Sequence, residues 1–196
     1  MLNSIKVSFR DSFIYGLGNI SVKVIGFLLI PLYTDPKYFS VDDFGIIALL
    51  DISGIVLISL MASGLPQSLM RWYWDNEFKD NQKGIFFMSV TNQVIVSLSF
   101  CVLLIPFTNQ ISTLIFGNEG WSNALKILIL STALQAVNNI VNSLMRIQSK
   151  AMLFSVTNFI KLAVVLLLTV YLIVFRHAGV KGIYIAQAAG NLLFLI

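Results

Sequence analysis

Long apolar runs broken by short polar pieces dominate this chain, and their lengths say what they are. A helix needs about 20 mostly apolar residues to cross the hydrocarbon core of a bilayer. Six segments are on that scale: 12–33, 44–64, 84–106, 121–145, 152–175 and 180–196. Between them lie 34–43, which holds one proline and three aspartates, then 65–83, the most charged stretch, then 108–120, 146–151 and 176–179. The pattern predicts an all-α fold, a polytopic membrane helical bundle of about six transmembrane helices occupying 1–196 as one domain. The first run is too long for the apolar region of a signal peptide, and no small-residue cleavage pattern follows at Leu28–Asp35. It reads as a retained helix.

Composition explains why lipid must be the solvent. Hydrophobic residues make up 57% of the 196 residues and charged residues 11%, against roughly 25% charge in a soluble domain. A chain of this size cannot bury so much apolar surface in one core. Soluble enzymes, disulfide scaffolds and nucleic-acid modules are therefore disfavoured. A single cysteine, Cys101, and a single histidine, His177, supply no zinc site, disulfide framework or Cys–His nucleophile pair. No metal, cofactor or catalytic residue is expected.

The net charge of +4 is spread singly along the ends of apolar segments, which is how topology is encoded. With the N-terminus in the cytoplasm, that side receives Lys6, Arg10, Arg71, Lys79, Lys83, Arg146 and Lys150, and the other Lys37, Lys126, Arg176 and Lys181. Seven against four favours this orientation. Trp72, Tyr73, Trp74 and Trp121 stand near predicted boundaries, as interfacial anchors do.

Three ionisable residues fall inside the spans: Lys23, Asp51 and Lys161. Each costs roughly 2.5–3.5 kcal/mol at mid-membrane, so they must face partners or water. At about 100° per residue, Ser12, Tyr15, Gly16, Asn19, Lys23 and Gly26 share one face of the first helix. Ala48, Asp51, Ile55, Ser59, Ala62 and Ser63 share one on the second. The fourth carries Ser131, Thr132, Gln135, Asn138, Asn139, Asn142 and Arg146 at helical spacing; the fifth Thr157, Asn158 and Lys161; the sixth Tyr184, Gln187 and Asn191. Such stripes either enclose a hydrated cavity or glue helices together. Lys23 and Asp51 are also readable as a buried ion pair fixing two adjacent helices, and Asp51 as a proton or cation site. Lys161 has no acidic residue within reach on its own helix, which makes it the leading ligand contact. Two lysines against one aspartate suit an anionic ligand such as a phosphate or carboxylate.

Several ordered patterns resemble the polysaccharide-biosynthesis (Wzx-like) flippases, exporters of lipid-linked oligosaccharides within the multidrug/oligosaccharidyl-lipid/polysaccharide exporter superfamily. They are Tyr15-Gly16-Leu17-Gly18-Asn19, Lys23-Val24-Ile25-Gly26-Phe27 and Ile30-Pro31-Leu32-Tyr33-Thr34, then Ser40-Val41-Asp42-Asp43-Phe44-Gly45 and Gly64-Leu65-Pro66-Gln67-Ser68-Leu69-Met70-Arg71-Trp72-Tyr73. Leu114-Ile115-Phe116-Gly117 and Gly179-Val180-Lys181-Gly182-Ile183-Tyr184-Ile185-Ala186 follow. Asp35-Pro36-Lys37 departs from the pattern, since members often carry a basic residue directly after the Pro-Leu-x-Thr segment.

The resemblance implies the N-terminal six-helix half of a two-bundle transporter in the bacterial cytoplasmic membrane, with the C-terminal half, or a second copy, as partner. Its substrate would be a polyprenyl-diphosphate-linked oligosaccharide, flipped by alternating access through a cationic cavity. Lys23 and Lys161 would contact the diphosphate or acidic sugars, and Asn19, Gln135, Asn138 and Asn142 the sugar hydroxyls. Rival readings are a small-molecule exporter of the same superfamily, a membrane-embedded glycan polymerase or ligase, and a non-transporting scaffold half. The segment 108–120 offers an enzyme only Glu119, and His177 stands alone beside Arg176.

Overall fold

The computed structural model describes residues 29–195 together with Gly16 and Phe27. Among the described residues there are helices and turns and no strand. A helical end at 29–34 leads through a turn to α1 (Val41–Ala62), whose start is fixed by a capping box. Ser40 Oγ accepts from the Asp43 amide at 3.2 Å, and Asp43 Oδ2 accepts from the Ser40 amide at 2.8 Å. That exchange satisfies two otherwise orphan amides. Ser63 and Gly64, both in the left-handed region with φ 46° and 73°, end the helix and turn the chain.

The stretch 65–83, expected as a polar connection, is mostly helical. The eight residues of α2 (Leu65–Trp72) carry Pro66 in the first turn, where its missing amide costs nothing, and a 3-10 segment (Asn76–Asn81) follows. Leu69 and Tyr73 are buried against Ile140 and hold α2 to the bundle. The third predicted span is likewise longer than its apolar run. α3 (Gln82–Leu104) passes through a 3-10 turn at Pro106 into α4 (Thr108–Phe116), so helix runs on from Asn76 to Phe116. The expected loop at 108–120 is thus a helix ended by Gly117 (φ 75°) and a short 3-10 turn. Thr108 and Ser112 are buried, and Ser112 Oγ donates to Asn118 O at 2.7 Å.

The remaining helices are α5 (Ser122–Ile147), α6 (Ala151–Val170), which continues as a π turn (Tyr171–Phe175), and α7 (Gly179–Leu193). Among the described residues, four helical stretches are long and apolar enough to cross a membrane: Val41–Ala62, Asn76–Phe116, Glu119–Ile147 and Ala151–Phe175. The 15 residues of α7 rise about 22 Å, short of a ~30 Å core. Most of the first predicted span, 12–33, lies outside the described residues.

The helix α5 is the axis of the bundle, packing against α1, α2, α3, α4, α6 and α7. Its apolar stretch is 61% buried, against 11% for α6. Leu125, Leu128 and Ile129 join Leu50 and Met61 of α1 and Tyr184 of α7 in the main core. Gly54 lets α1 approach closely, since a Cβ there would lie 3.2 Å from Leu128 Cδ1. Gly190 does the same between α7 and α6, where a Cβ would overlap Val165. Outward faces are apolar: Phe87, Met88 and Val102 of α3 and Phe159 and Leu167 of α6 are all exposed. A soluble monomer rarely presents apolar surface on that scale, whereas lipid accommodates it.

Candidate functional site

The polar residues inside the spans sort into two groups by what they touch. The first ties helices together. Asn138 Nδ2 of α5 donates to Asn191 O of α7 at 2.8 Å, and Asn191 Nδ2 donates back to Ser131 O at 3.1 Å and Ser131 Oγ at 3.2 Å. Ser131 and Asn138 are seven residues apart, about 20° from eclipsed on a helix, so Asn191 reaches both ends of the tie. All three are buried. In a membrane such amide bonds supply the specificity that hydrophobicity cannot, because lipid competes equally for apolar side chains.

A second tie joins α7 to α1. Tyr184, fully buried, has its hydroxyl 3.0 Å from Asp51 Oδ1 and 3.3 Å from Ile47 O. It has one proton, and the carboxylate is the nearer acceptor. Asp51 itself is exposed. Its expected neighbour Lys23 lies outside the described residues, as does Asn19. Between α6 and α5, Asn158 Nδ2 donates to Phe154 O at 2.8 Å and lies 3.4 Å from Asn142 Oδ1. Asn142 is half-buried there.

The other group is open. On α5, Gln135 lies about 60° from Asn138, between the face that meets α7 and the face, marked by Thr132 and Gly54, that meets α1. It is nevertheless exposed, so α1 and α7, which meet at Tyr184, do not close over it. Asn139 and Gln187 are half-buried, and neither side chain bonds to another described residue. Lys161 on α6 is half-buried, with no described carboxylate within ion-pair distance. Among the described residues there is no cluster of His, Cys, Asp and Glu able to hold a metal.

Two glutamines outside the helical stripes also tie elements together. Gln93 of α3, fully buried, donates to Met61 O at 2.9 Å and Ser97 Oγ at 3.2 Å, joining α3 to α1. Its own Oε1 is buried without a partner among the described residues. Gln148 Nε2 donates to the Tyr73 hydroxyl at 2.8 Å, fixing α2 to the end of α5. The available signal for Gln93 is a short polar patch, Thr91-Asn92-Gln93, inside an otherwise largely apolar run.

The described residues thus define an all-helical chain with four helices suited to a bilayer, tied by buried amides around α5 and carrying an open polar face. Compared with protein-family models, with curated proteins and with solved structures, the chain matches none.

Proposed function

We propose that this chain is the N-terminal bundle, six spans in all, of a Wzx-like flippase, a multi-pass protein of the bacterial cytoplasmic membrane with its N-terminus inside. It moves a polyprenyl-diphosphate-linked oligosaccharide across the bilayer, together with a second bundle. The reading is supported by the ordered sequence resemblance and by one observation above the rest: Gln135 stays exposed between two helices that touch elsewhere, beside other amides without described partners.

An unpaired amide facing hydrocarbon costs free energy, so a polar row of this kind fits water or a hydroxyl-rich ligand. In this reading Gln135 and Asn142 face sugar, with Asn19 from the first span, while Lys161 and Lys23 meet the diphosphate. Asn138 serves chiefly as the α5–α7 tie. Asp51 holds Tyr184 and offers its remaining oxygen to a coupling proton or cation. Rocking of the two bundles about this face alternates access.

The test is export in a host whose own flippase is deleted. Lys161→Ala is expected to abolish surface glycan at unchanged membrane abundance, with Lys161→Arg restoring much of it. Normal glycan from Lys161→Ala overturns the role of the cation. A protein that instead confers resistance to small toxic cations, with no glycan phenotype, belongs to the rival class of small-molecule exporters.

A further inference from the structure

A cavity of about 800 Å³ opens between α2 with its 3-10 segment and the outer surface of α3. Trp72 and Phe78 stand at one end in edge-to-face contact, ring centroids 5.9 Å apart. Ile85, Met88, Asn92 and Ile95 of α3 form the long wall. From Ile85 to Ile95 the helix rises about 15 Å, half of a ~30 Å hydrocarbon core. The notch therefore runs about one leaflet's length along α3, with Trp72 beside and Phe78 within the charged stretch 75–83, as residues of an interfacial belt would be.

Charge marks the same end. The Arg71 guanidinium lies 5.2 Å from the Trp72 ring centroid, which holds a cation at the mouth. Arg71 is exposed, and no described carboxylate lies within ion-pair distance of it, although Asp75, Glu77 and Asp80 share the segment. Asp75 is committed to capping the 3-10 turn, accepting from the Glu77 amide at 3.1 Å.

An exposed guanidinium beside a largely apolar slot one leaflet long matches a phosphate joined to an alkyl chain. Bilayer phospholipid supplies that chemistry in large excess around any membrane span. We propose that the notch holds one phospholipid, its phosphate on Arg71 and one acyl chain along Met88 and Ile95. The bound lipid completes the outer wall of α3 and steadies α2 against the bundle. This site does not depend on the function of the polar face.

The test is native mass spectrometry of the full chain, extracted in mild detergent, delipidated and titrated with palmitoyl-oleoyl phosphatidylglycerol. One tight lipid per chain is expected. Arg71→Gln removes a charge-assisted contact and weakens it about tenfold. Met88→Trp fills the slot and eliminates the tight site, while both variants keep their helical circular dichroism. Equal binding by the parent chain and both variants overturns the proposal. So does a chain that takes up polyprenyl phosphate but no phospholipid, which would make the notch a substrate subsite.

Discussion

Asn138 and Gln135 are the same kind of side chain, three residues apart on α5, and they live in different worlds. Asn138 is buried and donates to α7 at 2.8 Å; Gln135 is exposed and meets no described partner. About 60° of helical rotation separates them. On the first side a neighbouring helix comes close enough to use the amide, and on the other the neighbours part. A polar stripe on a membrane helix is thus a composite, part adhesive and part lining. Only the positions of the flanking helices divide it.

The adhesive side should carry the stability. The largest effect is expected from Gly190→Val, whose side chain would occupy the space of Val165 and drive α7 from α6. Overpacking of that kind costs about 1–3 kcal/mol or more, readable as a lowered midpoint of thermal unfolding in micelles. Asn191→Leu should follow at about 1–2 kcal/mol, because it removes the amide that reaches Ser131. Tyr184→Phe, which unties α7 from Asp51, should cost about 0.5–1.5 kcal/mol. Gln135→Leu should change stability by no more than about 0.5 kcal/mol while export falls. A Gln135→Leu protein that unfolds as readily as Asn191→Leu would erase the distinction between the two rows.

Much of the scaffold was legible because length and apolarity are local properties. The spans 84–106, 121–145 and 152–175 lie within helices long and apolar enough for a bilayer, and 44–64 overruns its helix, Val41–Ala62, by two residues. The elements beside them were less legible. Thr108–Phe116 looks like a loop because Thr108, Asn109, Gln110, Ser112 and Thr113 follow a proline. It is helical because Pro106 sits in the first turn of a 3-10 segment, where proline is tolerated, and because Thr108 and Ser112 have somewhere to be buried. The helix α2 hides in a charged stretch for a similar reason: Leu69 and Tyr73, with Leu65 packed beside them, bind it to the core.

The site was legible as a set of residue types, not as an arrangement. Helical spacing groups Gln135, Asn138 and Asn142 on one face, yet cannot say that Asn191 comes from another helix to claim Asn138. Gln93 escaped altogether, since its partner Met61 O is 32 residues away in sequence. Lys161 stands out in the sequence because a cation in an apolar run needs a reason. The structure adds that no described carboxylate pairs with it.

The most direct test of the two-row account is thiol accessibility in native membranes. Cys101, the single native cysteine, is first replaced by alanine. Gln135→Cys and Asn138→Cys are then challenged separately with a water-soluble maleimide, which needs a hydrated, ionisable thiol to react. Rapid labelling of Gln135→Cys is expected, with little or none of Asn138→Cys. Equal labelling of the two, or no labelling of Gln135→Cys, would contradict it.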